Sequence, residues 1–338
     1  MSTIYDVCRQ ANVSMATVSR VINGNDNVRS TTRQKVLDAM DALGYKPNII
    51  AQSLASKRSN SVGIQVSELT GPVYGPMMAG IEDELRQSNK HVFITSGHSD
   101  EAREKESIDI LMSRNCDALI LHVEAVTDEY LIELAKKTTP FVLINRYIKE
   151  LADRCIILDN VHGGYVATNC LIEQGHTDIA YIAGPLWKTD VHDRIQGHKK
   201  ALSDAGFAFD KELLFEGDFN EQTGIKGMRA FWDANKTFTA VVCANDEMAA
   251  GAMAECRDAN IKVPDEVSIV GYDDINYAYY LHPKLTTVRY PVEEMGRMAA
   301  KWVLKNVYNK PMEISNTFSP HLIVRNSTRK VMSKACEA

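Results

Sequence analysis

Two groups of residues in this chain have the types and spacing to do chemistry. The first lies at the ends of apolar runs: Ser67 with Tyr74 just beyond it, Asn145-Arg146, Asp159-Asn160, Asn245-Asp246 and Tyr272-Asp273-Asp274, with Arg194 expected to begin a helix, Arg194 to Asp204, after the Gly184-Pro185 loop. Carboxylates and amides form paired hydrogen bonds with adjacent hydroxyls, and an aromatic face packs on the C–H face of a sugar ring. Brought together, such a set would hold a polyhydroxylated ligand. Each Asx has a plainer use as the cap of the helix that follows a strand, and Asp246 fits that use best. The second group is Ser14, Met15, Ala16, Thr17, Ser19 and Arg20, in a stretch with no acidic residue from Asn12 to Gly24. On a helix lying in the DNA major groove, Met15, Ala16 and Thr17 would face base edges, with Arg20 one turn further on. Ser14, Thr17, Ser19 and the helix N-terminus would hold phosphates.

The second group needs two short helices. Ile4, Val7, Cys8 and Ala11 form one apolar stripe at i, i+3, i+4, i+7. Ala11-Asn12-Val13 is a turn, and Asn accepts the left-handed conformation such turns need. Ser14 caps the second helix, whose inward residues are Val18, Val21 and Ile22. A third helix follows, with Ser30 as its expected cap and Val36, Leu37, Met40 and Leu43 inward. The pattern is a helix-turn-helix; it also fits a small helical bundle with a polar outer face. After Gly44-Tyr45-Lys46-Pro47-Asn48, the stretch Ile49 to Ser59 predicts a helix of about two turns, too short to be stable alone. Ile50 and Leu54 are apolar at i, i+4, which suits a segment that folds on a partner. Leu54 could wedge between base steps in a minor groove. A connector helix packed on the protein's own core is the alternative.

The first group needs an α/β body. From Ser61 onward, short apolar runs alternate with amphipathic stretches, the mark of a parallel sheet covered on both faces. The cycle starts again near Ile179, so two similar halves are expected, joined near Asp159. The last helix, Val292 to Tyr308, and the strand His321 to Val324 are expected to cross back to the first half. In doubly wound sheets, ligands bind beyond the carboxyl ends of strands, where the first group lies.

Apolar content of 45% and charged content of 24% are those of an ordinary globular protein. The net charge of −6 is unevenly spread: residues 1–60 carry eight basic and four acidic side chains, the remainder 30 and 40. A basic end on an acidic body confines phosphate attraction to that end. Seven scattered cysteines without C-x-x-C spacing argue for thiols in a reducing cytoplasm and against a metal site. The chain starts polar, without an apolar leader, and no run approaches a membrane span. There is no G-x-S-x-G, P-loop or metal-spaced His pair. A sugar receptor or sugar-active enzyme without a DNA role remains an alternative. Adjacent carboxylates such as Asp273-Asp274 on an extended turn point apart, which weighs against an acid–base pair.

The strings Tyr5-Asp6-Val7, Val13-Ser14…Thr17-Val18-Ser19-Arg20-Val21-Ile22-Asn23, Gly44-Tyr45-Lys46-Pro47-Asn48 and Ala51-Gln52-Ser53-Leu54-Ala55 resemble the LacI/GalR family of sugar-responsive repressors. The resemblance runs to about Arg325. Asn145-Arg146, Leu158-Asp159-Asn160 and Thr286 to Pro291 are most similar to its galactose-repressor branch, and Gly71 to Pro76 to β-glucoside-operon repressors. It implies a headpiece over 1–47, a hinge helix over 48–60 and a two-lobed effector-binding and dimerisation domain over 61–338. The lobes would be about 61–159 plus 291–325, and 160–290, like a periplasmic sugar-binding protein. Thr3, Tyr5, Asn23 and Ala51 join the expected DNA contacts. Arg194, Asp273, Asn145 and Asn245 align with central effector contacts, Phe219 and Tyr290 with the pocket wall. The implied protein is a cytoplasmic homodimer on near-palindromic operator DNA. It is not an enzyme, carries no cofactor, and is controlled by a hexose or glycoside, with release from DNA as the default response. Residues Ser327 to Ala338 contain no leucine heptad, so a further tetramer is not expected.

Overall fold

The computed structural model describes residues 2–22, 27–46 and 58–331. The chain divides into two compact units, Met1–Asn60 and Ser61–Ala338.

The smaller unit holds α1 (Ile4–Ala11), α2 (Met15–Ile22) and α3 (Ser30–Ala42). The Asp6 carboxylate accepts from the Thr3 backbone N–H and from its hydroxyl, both at 2.8 Å, which fixes the start of α1. Asn12 ends that helix with φ 51°, the expected left-handed turn. The Ser14 hydroxyl accepts from the Thr17 N–H at 3.3 Å and so caps α2 as expected. Val7, Ala11, Val18, Val21, Val36 and Ala39 form the core. Two expectations for α3 fail. Its cap position is Arg29, with Ser30 already the first helical residue. Leu37 is 44% exposed, and Ala39 is buried instead. Positions 36, 39, 40 and 43 share one helical face, while 37 lies a full residue step around the axis.

The larger unit begins with β1 (Ser61–Val66), β2 (His91–Ser96), β3 (Ala118–Leu121), β4 (Phe141–Ile144) and β5 (Cys155–Leu158), parallel in the order β5-β4-β3-β1-β2. Helices α4 (Tyr74–Arg86), α5 (Glu101–Ser113) and α6 (Asp128–Leu134) connect them. A second lobe repeats the design with α7 (Asn160–Glu173), β6 (Ile179–Ala183), α8 (Thr189–Asp204), β7 (Leu214–Glu216), α9 (Glu221–Asp233), β8 (Ala240–Cys243), α10 (Asp246–Asp258), β9 (Ser268–Asp273) and β10 (Thr286–Arg289). Its parallel order is β10-β9-β8-β6-β7. β3, β4, β6 and β8 are buried along their whole length, as continuous apolar runs require. β2 departs from that expectation: it is an edge strand, with Phe93 46% and Ile94 42% exposed.

After β10 the chain returns to the first lobe as α11 (Val292–Asn306), and β11 (Thr317–Phe318) pairs parallel with β5. The expected return of His321 to Val324 to the first half is not what occurs. β12 (His321–Ile323) pairs antiparallel with β10 in the second sheet. Ser327 then bonds within that lobe, accepting from Thr286 N–H at 2.8 Å and donating to Ile269 O at 2.6 Å. Ser319-Pro320 breaks one apolar stretch into two strands, because proline cannot donate to a ladder. The chain therefore crosses between lobes three times.

Candidate functional site

Between the lobes lies a cavity of about 110 Å³. The first lobe contributes Val73, Tyr74, His122, Glu124 and Asn145 to its walls. The second contributes Lys188, Asp190 and Arg194 from the start of α8, with Phe219, Asn245, Glu247, Asp273 and Tyr290 around them. These residues stand at or just past strand ends and in the first two turns of helices, so the topology gathers them.

Arg194 is the centre of this site and is 3% exposed. Its Nη1 donates to Ala244 O at 2.6 Å and its Nε to Asn160 Oδ1 at 3.0 Å. Its guanidinium lies 3.8 Å from the Tyr272 ring centroid. Asp190 and Asp273 stand 3.7 and 4.0 Å from it. Two glycines permit this crowding: a Cβ on Gly164 would fall 1.9 Å from Arg194 O, and one on Gly163 2.1 Å from the Tyr272 hydroxyl. Asn160, 4% exposed, ties the cluster to the first lobe by donating to Asn145 Oδ1 at 3.1 Å. On the other wall the lobes meet through Lys188 Nζ and Glu124 Oε2 at 2.8 Å, and Ser99 also donates to Glu124 at 2.5 Å. The Lys188 ammonium stands 5.3 Å from the Phe219 ring centroid.

Four carboxylates face two cations here, so the charges are poorly balanced. Burial raises the Asp273 carboxyl to about 7, with Arg194 opposing and Glu247 and Asp190 adding to the rise. Burial and Glu221 raise Glu247 to about 7 as well. Burial would also raise Glu124, but His122 and Lys188 outweigh it and hold the carboxyl below its usual range. Burial opposes the charge of Arg194, yet Tyr272, Asp190 and Asp273 leave it more firmly protonated than usual. The backbone is strained at the same place: Asn145 has φ 57°, Phe219 71° and Asp273 108°. Asn and Asp tolerate positive φ; for Phe it is costly and persists only where the surroundings impose it. The Tyr290 hydroxyl is buried and bonds to no described residue.

Tyr74, Asn145, Arg194, Phe219, Asn245, Asp273 and Tyr290, chosen from sequence, all line the cavity. Three other candidates do not. Ser67 sits behind the wall, 3.2 Å from His122 Nδ1, and steadies a ring that meets Tyr74 edge-on at 5.5 Å. Arg146 turns aside to Asp128, at 2.6 Å, and lines a neighbouring space of about 30 Å³. Asp159 is exposed and accepts from His162 N–H at 2.9 Å, the plain cap of α7; its neighbour Asn160 points inward instead. The expectation for Asp246 is also reversed. Asn245 is the cap, accepting from Met248 N–H at 2.9 Å and donating to Phe219 O at 2.7 Å. The buried Asp246 accepts from Ile275 N–H at 2.9 Å and Thr287 Oγ1 at 2.5 Å. Arg194 is not the start of its helix but lies in the second turn of α8. Sequence reasoning missed His122, Glu124, Lys188, Asp190 and Glu247. The strand-end rule would have reached His122 and Glu124, just past β3.

In the smaller unit, Thr3, Tyr5, Ser14, Met15, Ala16 and Arg20 are exposed, and Thr17 and Ser19 half-buried. Met15 is 49% and Tyr5 63% exposed. Asn23, Ala51 and Leu54 lie outside the described residues, with most of the expected hinge helix.

Residues 3–48 match the family model of bacterial regulatory proteins, lacI family, and residues 168–328 that of the periplasmic binding protein-like domain. The HTH-type transcriptional regulator GalR of Escherichia coli (strain K12) is 40% identical over 328 residues, covering 97% of this chain and 96% of GalR. The lac repressor dimer bound to operator and the anti-inducer ONPF aligns with a TM-score of 0.87 at 28% identity, covering 97% and 99% of the two chains. The transcriptional regulator CelR–cellobiose complex aligns at 0.71 and 31% identity, covering 97% and 100%.

Proposed function

The chain belongs to the lacI family of bacterial regulatory proteins, and on that premise we propose that it represses carbohydrate genes by binding operator DNA under the control of a sugar. The observation that carries the sugar reading is the cavity itself. Arg194, Asp273, Asn145 and Tyr290 converge there from both lobes, Asn145 and Asp273 on backbone of positive φ. Such a site binds hydroxyl-rich rings by directed hydrogen bonds, and Phe219 and Tyr74 supply the aromatic faces.

The headpiece reads the major groove with the exposed face of α2, where Met15 and Ala16 set base preference and Arg20 adds a charged contact. Thr3, Tyr5, Ser14, Thr17 and Ser19 hold the backbone. Residues 48–60, with Leu54, act in the minor groove. The protein works as a homodimer on a near-palindrome; the exposed apolar edge Phe93-Ile94 and the aromatic pair Tyr279-Tyr280, 52% and 80% exposed, suit burial against a second copy. A regulator of this kind operates in the cytoplasm and performs no catalysis.

The test is a thermal-shift screen against hexoses, glycosides and phosphorylated sugars, run on the full chain and on Asp273→Ala. The expected result is a sugar that raises the melting temperature of the wild type and not of the variant, and that alters operator affinity. A folded protein that responds to no sugar removes the effector half of the reading. Operator selection from random DNA then tests the other half.

A further inference from the structure

A buried carboxylate stands behind the wall of the cavity without lining it. Glu104, in the first turn of α5, is 0% exposed. Taking a carboxylate out of water is costly unless hydrogen bonds replace its hydration. Here backbone replaces it. Oε1 accepts from the Glu124 N–H at 2.9 Å, and Oε2 from the Ala125 and Val126 N–H groups at 3.0 and 2.8 Å.

These three groups belong to the segment between β3 and α6, and the first is Glu124's own. A bond there fixes the peptide plane from which the Glu124 side chain leaves, and with it the direction of its carboxylate. That carboxylate meets Lys188 Nζ of the other lobe at 2.8 Å. This is the length of a charge-assisted hydrogen bond, which a displacement of about 1 Å would break. A second support comes from the loop after β2. Ser99 donates to the same carboxylate at 2.5 Å, from backbone at φ 51° beside His98 at 52°. Two successive left-handed residues without glycine are costly and persist only where the surroundings impose them. The His98 ring meets Glu68 Oε2, in the segment after β1, at 2.9 Å. A Cβ on Gly97 would fall 2.5 Å from Glu104 Cγ, so the loop after β2 is pressed against the same side chain. Three strand-end segments of the first lobe are thus fastened around the one carboxylate that reaches Lys188.

We propose that Glu104 is a positioning residue: it holds the 124–126 segment so that Glu124 reaches Lys188, and so sets how firmly the lobes are tied across the cleft. An effector in the cavity feels Glu104 only through Glu124. That consequence rests on the sugar reading of the cleft; the tie itself does not.

The experiment is acetylation of the folded full chain by acetic anhydride without sugar. The rate at Lys188 is read by peptide mass spectrometry against the exposed Lys305. It is run on the wild type, Glu124→Gln, Glu104→Gln and the double variant. Glutamine keeps the shape of Glu104 but turns an NH2 donor towards N–H groups, so it cannot accept from all three. In Glu124→Gln, Lys188 is expected to react up to about tenfold faster, the weight of one charge-assisted hydrogen bond. Glu104→Gln is expected to give most of that increase, and the double variant no more than Glu124→Gln alone. Lys305 is expected to keep its rate throughout. Glu104→Asp keeps the charge but draws the segment back by one methylene; an intermediate rate is expected, and this variant decides where Glu104→Gln does not fold. A wild-type rate at Lys188 in a folded Glu104 variant overturns the proposal. So does an unchanged rate in Glu124→Gln, because the tie would then not hold in solution. A rise at Lys305 equal to that at Lys188 also overturns it, because Glu104 would then only stabilise the fold. A wild type that labels as expected but binds no hexose or glycoside overturns instead the sugar reading, and leaves the tie standing.

Discussion

Asp273→Asn is expected to stabilise the ligand-free protein at pH 8, the opposite of what breaking a buried ion pair usually does. Removing one partner of such a pair ordinarily costs about 3–5 kcal/mol. Here the pair is loose. Asp273 stands 4.0 Å from Arg194, whose Nη1 and Nε already donate to Ala244 O and Asn160 Oδ1. Burial dominates, and the Asp273 carboxyl rises from 3.8 to about 7. The sign follows from proton linkage. Between those values the folded state holds a proton that the unfolded chain has lost, so stability falls as pH rises through the window and is flat above it. Each unit is worth about 1.4 kcal/mol, which makes the cost at pH 8 at most about 4 kcal/mol. Asparagine mimics the protonated form in shape and tolerates the same backbone, so it abolishes this slope. The measurement is denaturant unfolding of both proteins from pH 4 to pH 8, without sugar. The expected difference is near zero at pH 4 and grows to between about 1 and 4 kcal/mol in favour of the variant at pH 8. A variant less stable than the wild type at pH 8 would refute the reasoning, and would mean that the Arg194 attraction outweighs desolvation. The same variant should lose its response to the sugar, since a carboxylate held at such cost is a mark of function rather than of folding.

Three further outcomes can be checked with less work. Phe219→Gly should leave the protein about 1 kcal/mol more stable in thermal unfolding than Phe219→Ala, because φ 71° strains alanine and costs glycine nothing. Its sugar affinity should nonetheless fall, since the cavity loses an aromatic wall. Lys188→Met removes the link to Glu124 across the cleft and should weaken sugar binding by about tenfold, on the order of one charge-assisted hydrogen bond; unchanged calorimetric affinity would make the link incidental. Arg20→Ala should weaken operator binding in fluorescence anisotropy by about 1–3 kcal/mol if it reads a base. Equal losses on operator and random DNA would leave it a phosphate contact only.

The parts of this structure that could be read from sequence are those where residue type and period speak together. The continuous apolar runs of β3, β4, β6 and β8 predicted buried strands, and the ends of β4 and β9 predicted where Asn145 and Asp273 would stand. Two of the failures share one cause: neighbouring residues of similar type exchanged roles. Asp159 and Asn160 are both good caps; the first bends back over its helix, which turns the second inward. Asn245 and Asp246 divide in the same way. Lys188 and Asp190 were hidden because the cap position of α8 is Lys188, which makes no side-chain cap hydrogen bond, so the helix was expected only from Arg194. Leu37 has the apolarity of a core residue but the wrong angular position. Nothing in the type of a residue announces a φ of 108° at Asp273, which depends on the strands that clamp it.

Those strands also explain how a ligand in the cavity could change the angle between lobes. Asp273 ends β9, and its carbonyl oxygen accepts from the Tyr290 N–H at 3.2 Å, in the segment that leads to α11. The buried Asp246 carboxylate ties Ile275 to Thr287, so the loop after β9 and the strand β10 move as one piece. On the far side, α11 and α4 touch backbone to backbone: a Cβ on Gly80 would lie 2.4 Å from Glu293 O, and one on Gly296 2.4 Å from Met77 O. The first residue of α4 is Tyr74, in the cavity wall. A sugar that contacts Asp273, Tyr290 and Tyr74 together therefore grips the second lobe, the crossing segment and the first lobe. It can favour one lobe angle only by its difference in affinity for the two arrangements, commonly about 1–3 kcal/mol. A ligand that bonded Asp273 and Arg194 but reached neither tyrosine would bind both arrangements equally. However tightly it bound, it would leave operator affinity where it was.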